Sequence, residues 1–188
     1  MTAHRTADTA WLALLRGINV GGRNVIRMAE LRSCFEAEGF RDVVTYIQSG
    51  NVIFRSASSG PGALTARIEE MLAAAFGYRA KVTLRSRDQM RAVVEGAPAG
   101  FGVRPDIHRY DVLFLMPPLT AVDAMAHVSA RPGVDEAWAG EGVLYFSRLI
   151  ARASRSHLSR LASMPVYQSM TIRNWKTTTR LLQLMEAD

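Results

Sequence analysis

The chain lacks the features of an exported or membrane-bound protein. It has one cysteine in 188 residues, so it can form no internal disulfide, and this fits a reducing compartment. No apolar run approaches the roughly 20 residues that a membrane-spanning helix needs. Residues 1–9 are polar and lack the apolar stretch of a signal peptide. From these absences we predict a cytoplasmic protein without membrane association.

Groups with the spacing of a known reaction centre are also missing. The four histidines are scattered, without the Cys/His or carboxylate spacing that is typical of zinc sites. The serines lie in no nucleophile-elbow motif, and no aromatic-rich signature marks an RNA-binding sheet. We therefore predict no metal and assign no catalytic residue. The cofactor, the enzymatic activity and the oligomeric state stay open.

Acidic residues are absent from two long segments, 10–29 and 148–180, in a chain of net charge +6. The second segment contains Arg148, Arg152, Arg155, Arg160, Arg173, Lys176 and Arg180. Such asymmetry raises the local concentration of anions. It favours an anionic small molecule as ligand, or nucleic acid bound along 148–180. The alternative is a basic surface that reflects an arginine-rich composition alone.

Hydrophobic periodicity predicts an α+β protein built of two similar halves. The first half, residues 10–96, has the order strand, helix, strand, strand, helix, strand, which is the ferredoxin-like (βαββαβ) arrangement. A Gly/Pro-rich stretch at 97–109 is the predicted linker. The second half, 110–187, repeats this element order but shows no motif aligned with the first.

Local signals place several element ends. Ser86 with Gln89 has the pattern of a capping box, and Thr120 is a candidate helix cap. A helix is predicted near 154–163. The apolar spacing over Thr171–Glu186 predicts a C-terminal helix capped by Thr171.

A glycine-rich loop follows the first predicted strand. The pattern Gly17-x-x-x-x-Gly22-Arg23-Asn24 has glycines placed as in a phosphate-binding P-loop, but it lacks the lysine and the Ser/Thr hydroxyl that such a loop needs. The β-branched Val25 and Ile26 also disfavour an immediate helix start, which argues against a nucleotide triphosphatase. Two interpretations stay open: an anion-binding loop, or a structural loop in which glycine satisfies a positive φ. Its candidate ligand residues are Arg16, Gly17, Asn19, Gly21, Gly22, Arg23 and Asn24.

Two further segments carry candidate ligand residues. In the first turn of the C-terminal helix, Arg173, Asn174 and Lys176 would favour an anion through their side chains and the helix start. The alternative there is a surface helix whose tryptophan packs inside. Ser49 and Asn51, in a predicted hairpin, either orient a ligand beside the glycine loop or serve the turn itself.

Three motifs together resemble the bacterial domain-of-unknown-function family 1697. They are Gly17-Ile-Asn-Val-Gly-Gly-Arg-Asn, Tyr46-Ile-Gln-Ser-Gly-Asn-Val-Ile-Phe54 and Thr171-Ile-Arg-Asn-Trp-Lys-Thr177. The resemblance spans about residues 10–186 and implies a duplicated architecture of ferredoxin-like halves. The family's loop often carries lysine where this chain has Arg23. The resemblance implies no catalytic role.

The combined hypothesis is a binding protein or enzyme for a phosphorylated or otherwise anionic small ligand. In this hypothesis the Gly17–Arg27 loop and the Thr171–Lys176 segment form one site. Nucleic-acid binding through 148–180 and a protein-interaction module without chemistry are the alternatives.

Overall fold

A computed structural model describes residues 8–19, 25–57 and 60–187. It has the α+β content that the sequence predicts. The chain divides into two compact units. The first runs to Gln89 and includes the residues from Gln183 onward, and the second is Met90–Leu182. In the described part of the chain, no helix has the length and apolar character needed to cross a membrane.

The first unit is a four-stranded antiparallel sheet with two helices on one face. Its elements are β1 (Thr9–Arg16), α1 (Met28–Ala37), β2 (Arg41–Tyr46), β3 (Asn51–Ser56), α2 (Pro61–Phe76), β4 (Lys81–Ser86) and the first residues of α3 (Arg87–Glu95). The strand order is β2-β3-β1-β4, which confirms the ferredoxin-like arrangement. Because strand residues alternate between faces, Trp11, Ala13 and Leu15 pack in one cluster with Phe35 of α1 and Ile68 of α2.

The second unit repeats this topology. Its elements are β5 (His108–Leu115), α4 (Ala121–Met125), β6 (Asp135–Gly140), β7 (Val143–Leu149), α5 (Leu158–Ala162), β8 (Met170–Asn174) and the start of α6 (Trp175–Glu186), with 3₁₀ turns at Ile150–Arg155 and Pro165–Ser169. The order β6-β7-β5-β8 corresponds to that of the first sheet. Leu113 and Leu115 pack with Leu158 and Leu161 of α5 in its core. The predicted pseudo-duplication is confirmed.

The two predicted caps are confirmed. The Gln89 backbone N–H donates to Ser86 Oγ (3.2 Å), and Gln89 Oε1 accepts from the Ser86 N–H (2.9 Å), which is a complete capping box before α3. Thr120 Oγ1 accepts from the Asp123 N–H at 3.1 Å and begins α4. By contrast, the helix predicted near 154–163 is shorter, because a 3₁₀ turn ends at Arg155 before α5 begins.

The predicted helix over Thr171–Glu186 is wrong in its first turn. Residues Met170–Asn174 form β8, which pairs with β5, and α6 begins only at Trp175. The cap is Asn174, whose Oδ1 accepts from the Thr177 N–H at 2.8 Å, and not Thr171. The cause is that Thr171 and Ile172 are β-branched and suit a strand, while the helical spacing holds from Trp175 onward.

The halves also share a sequence motif, so the expectation of a repeat in element order alone is wrong. Thr83-Leu-Arg-Ser86 and Thr171-Ile-Arg-Asn174 end the fourth strand of each sheet and cap the helix that follows. The strand register aligns them, because Arg85 faces Leu12 of β1 and Arg173 faces Val112 of β5. A match of four residues with two identities is too short to detect from the sequence, and it becomes evident only when the strand pairing aligns the two halves.

The inner strands β1 and β5 end in an equivalent way in the two sheets. The Leu15 N–H donates to the Gly50 carbonyl at 2.8 Å, and the Leu115 N–H donates to the Gly142 carbonyl at 3.0 Å. Both glycines have positive φ, at 72° and 66°. A β-carbon on Gly50 would lie 2.5 Å from Ile18 Cδ1 and 2.9 Å from Leu15 Cβ. Glycine is therefore required at position 50 for conformation and for close approach.

We expect Gly50→Ala to lower the free energy of unfolding by about 3 kcal/mol, from left-handed strain and overpacking together. Gly77→Ala is the matched control, since Gly77 has φ 64° and nothing near its would-be β-carbon. The control should lose only about 1 kcal/mol. Urea unfolding of both variants measures the difference. Equal losses would contradict the close packing of Gly50.

Candidate functional site

Asn19 closes the glycine loop from inside. Its Oδ1 accepts from the Ile26 N–H (2.8 Å), while its Nδ2 donates to the Ile26 carbonyl (3.0 Å) and to the Gln48 carbonyl (2.8 Å). One side chain thus joins the two ends of the loop and ties them to the β2–β3 turn. Asn19 has φ 53°, a conformation that asparagine tolerates better than most residues. Both polar atoms of the Asn19 amide are engaged in holding the loop.

The start of the loop has an equally structural explanation. Gly17 has φ 77°, and a β-carbon there would lie 2.7 Å from the Tyr78 hydroxyl oxygen. That hydroxyl donates to the Arg16 carbonyl at 3.3 Å. The next side chain, Ile18, is buried in the core of the unit. The candidate ligand residues Gly21, Gly22, Arg23 and Asn24 lie outside the described residues.

The polar side chains of the Ser49-Gly50-Asn51 segment form hydrogen bonds within the β2–β3 turn. Asn51 is fully buried, and its Nδ2 donates to the Tyr46 carbonyl (2.9 Å) and to Ser49 Oγ (3.0 Å). The prediction that this turn lies beside the glycine loop agrees with the Asn19–Gln48 bond. The glycine loop and the β2–β3 turn are thus joined by a hydrogen bond at one corner of the first unit.

Arg173 and Arg85 are buried at equivalent positions of the two sheets. Each donates through one terminal nitrogen to the carbonyl of the residue before it, at 2.8 Å. Burial lowers the pKa of each guanidinium to about 10, and in Arg173 the nearby Tyr167 acts in the opposite direction. Both arginines therefore stay charged at neutral pH within the interior.

Asn174 and Lys176 line a pocket in the second unit that we call the α6 pocket. Its volume is about 540 Å³, and its lining residues are Gly102, Pro105, His108, Arg109, Tyr110, Ile150, Asn174, Trp175, Lys176 and Thr179. Arg109 and Lys176 are exposed at its surface, and within the described residues neither forms an ion pair. The described lining contains no acid, so its charge is positive, although the buried Asp111 partly offsets the charge of Arg109.

The sequence prediction missed the part of this pocket that β5 contributes. His108, Arg109 and Tyr110 begin a strand at the end of the predicted linker, and no motif marks them. Their relevance follows from the register, which pairs Asp111 with Asn174 and so places the start of β5 beside the start of α6. Arg109 also acts on Asp111, whose pKa is raised by burial while Arg148 and Arg109 partly offset the shift.

The equivalent position in the first unit is smaller and differently charged. There the start of β1 meets the start of α3 around a pocket of about 240 Å³, and its lining includes Asp8, Arg55, Arg87 and Asp88. Asp8 is ion-paired with Arg41, and the Asp8 carbonyl accepts from Arg55 at 3.4 Å. Arg55 Nε also lies 3.4 Å from Asp42 Oδ2, so acids compensate Arg41 and Arg55 in this half.

A larger groove, of about 770 Å³, lies between α1 and α2 but offers little chemistry. Its lining is four alanines with Cys34, Met71 and Phe76, and its polar residues are Glu30, Ser33 and Glu38. The pKa of the Cys34 thiol is raised by burial and by Glu38, which disfavours the reactive thiolate. Glu38 is itself paired with Arg67 at 2.7 Å. In the part of the chain that the structure describes, no cluster of His, Cys, Asp and Glu could hold a metal ion.

Fold and site together define a duplicated ferredoxin-like protein with a basic pocket in its second half. A family model described as protein of unknown function (DUF1697) matches residues 9–145, and the chain belongs to this family. The resemblance inferred from the three motifs is confirmed.

One solved structure is similar over nearly the whole chain. It is the conserved bacterial protein SP0830 from Streptococcus pneumoniae, with 31% sequence identity and a TM-score of 0.83, covering 95% of this chain and 99% of that one. Comparison with curated proteins gives no match.

We expect Asn19→Gly to lower the free energy of unfolding by about 1–3 kcal/mol, because it removes three partly exposed hydrogen bonds but tolerates φ 53°. Asn19→Ala should lose about 1 kcal/mol more from left-handed strain. Urea unfolding gives both values, and hydrogen exchange at the Ile26 amide should accelerate in both variants. Wild-type stability in Asn19→Gly would refute the closing role of this side chain.

Gly102→Ala should disturb the α6 pocket, because a β-carbon at position 102 would overlap the pyrrole edge of Trp175. Gly100→Ala is the control, with φ 79° and nothing near its would-be β-carbon. We expect losses of about 2–4 and about 1 kcal/mol respectively. Only Gly102→Ala should alter tryptophan fluorescence. An unchanged spectrum for Gly102→Ala would mean that Trp175 is not held against this glycine.

Proposed function

We propose that this protein binds a small anionic ligand in the α6 pocket. The observation that carries the proposal is the charge of that pocket: Arg109 and Lys176 line it without an ion-paired acid, whereas acids compensate the equivalent pocket of the first half. A carboxylate or phosphate would supply the missing counter-charge. Bonds between charged groups are shorter and stronger than neutral ones.

The start of α6 adds to this preference. The helix has 12 residues, and its N-terminal end carries partial positive charge. Asn174 caps it with Oδ1, and the side chain is exposed at the pocket. Asn174 and Lys176 thus keep the ligand-binding role predicted from the sequence, with Arg109 as an added contact.

The predicted contribution of the glycine loop stays a separate hypothesis. Arg16, Asn19, Ser49 and Asn51 lie in the first unit, where the described polar atoms of Asn19 and Asn51 bind the protein itself. Arg173 lies on the face of β8 opposite to Asn174, since neighbouring strand residues alternate. Support for anion binding therefore rests on the α6 pocket.

Nucleic-acid binding along 148–180 has weaker support. Arg148 donates to Asp111 Oδ2 at 3.1 Å, and Arg173 is buried, so two of the basic side chains are directed into the fold. Among the exposed ones, Lys176 lines the α6 pocket, whereas Arg152 and Arg160 do not.

We expect Arg109→Ala and Lys176→Ala each to weaken binding of ribose 5-phosphate about tenfold, because a hydrogen bond to a charged group contributes roughly 1.5 kcal/mol. Isothermal titration calorimetry on the full chain measures the dissociation constants. Arg160→Ala is the matched control, since it removes an equal charge from the same unit, and it should leave binding unchanged.

Two results would contradict the proposal. One is the absence of ribose 5-phosphate binding by the wild-type chain. The other is a single-stranded octanucleotide that binds with a steep salt dependence and is weakened as much by Arg160→Ala as by Lys176→Ala. A steep salt slope indicates many phosphate contacts, whereas one bound phosphate gives a shallow slope.

A further inference from the structure

The α6 pocket has aromatic as well as cationic lining. Tyr110 and Arg109 are neighbours in β5, and Trp175 and Lys176 are neighbours in α6. Strand β5 therefore contributes one positive charge and the rings of His108 and Tyr110, and α6 contributes one positive charge and one ring. The corresponding positions of the first half hold Thr9 and Ala10 in β1, and Arg87 and Asp88 in α3, with no ring among them.

The Tyr110 and Trp175 rings are held in place by a buried third ring. Phe101 contacts Tyr110 with ring centroids 4.9 Å apart and Trp175 with centroids 5.2 Å apart, both edge-to-face. The Tyr110 hydroxyl accepts from the Arg104 N–H at 3.3 Å. The absence of a β-carbon at Gly102 lets the Trp175 indole approach the backbone. Both rings are only half-buried, so they are fixed in position and still accessible from the pocket.

The volume of the pocket exceeds what an isolated anion needs. At about 540 Å³ it falls within the range of roughly 300–1,000 Å³ that encloses a small organic ligand. A phosphate held by Arg109 and Lys176 would leave the space beside Trp175 and Tyr110 unfilled. That space is bordered by the Trp175 and Tyr110 rings and by Ile150, a large apolar side chain that is 49% exposed.

We infer that the ligand of the α6 pocket joins an anionic group to a planar aromatic ring, as in a nucleoside monophosphate. The inference rests on the proposed anion binding and adds the class of ligand. The phosphate pairs with Arg109 and Lys176, and the base stacks on Trp175 or Tyr110. Stacking on an aromatic side chain tolerates every base, because each base has a π-face. The affinity of the pocket therefore depends on the presence of an aromatic group more than on the identity of the base.

The decisive comparison uses adenosine 5′-monophosphate and ribose 5-phosphate, which differ by the base alone. Isothermal titration calorimetry on the wild-type chain should show tighter binding of the nucleotide, by about tenfold or more. Trp175→Leu should remove most of that advantage, so that this variant binds the two ligands with nearly equal affinity. Trp175→Phe keeps a ring and should retain most of it.

Trp138→Leu is the matched control. Trp138 also contacts Phe101, with centroids 6.0 Å apart, but it is not among the residues that line the pocket. This variant should keep the preference for the nucleotide. Loss of the preference in Trp138→Leu equal to that in Trp175→Leu would overturn the stacking role of Trp175.

The outcomes separate this inference from the function on which it rests. Equal affinities for the two ligands would overturn the aromatic class and leave anion binding intact. Binding of neither ligand would overturn both. If Trp175→Leu does not fold, the ratio of the two wild-type affinities still decides, because it requires no variant.

Discussion

The hydrogen bond that ends each central strand is the contact on which the fold depends most. In both halves the residue after the last pair, Leu15 after Leu14 and Leu115 after Phe114, donates its N–H to a glycine carbonyl at the tip of the neighbouring hairpin. The positive φ of that glycine turns the chain so that the hairpin lies against the central strand. In the first half the Asn19 and Asn51 amides then hold the glycine loop and the turn in place around it. The architecture thus relies on backbone conformations that few residues adopt.

Much of this fold follows from the sequence because its signals are local. The buried run at Trp11–Leu15, the Ser86 capping box and the Thr120 cap act within a few residues, so pattern and structure agree. The error at Thr171 has a different origin. A strand at a sheet edge is defined by its pairing with β5, which lies some sixty residues earlier, and the helix pattern downstream hides its end. Long-range pairing decides such boundaries.

The candidate site was predictable only in part, for the same reason. Asn174 and Lys176 are recognisable as a helix start rich in polar and basic groups. Arg109 and Tyr110 follow a Gly/Pro-rich stretch and carry no motif, and only the register of β5 against β8 brings them to α6. Conversely, the glycine loop has the composition of a binding loop, yet the backbone conformation and the hydrogen bonds of the loop explain why Gly17 and Asn19 occur there. Composition identifies polar groups but does not show whether they already form hydrogen bonds within the protein.

The side-chain amides of Asn19 and Asn51 form hydrogen bonds with other groups of the protein, and this bears on how relatives of this chain should be grouped. Two of the three motifs that identify the family contain these residues, and there they hold the corner of a sheet. Possession of Asn19 and Asn51 in those motifs therefore reports a shared architecture. Relatives are better sorted by the residues at positions equivalent to 109, 110, 175 and 176. Two proteins alike in these two motifs but different at these four positions would be expected to differ in ligand.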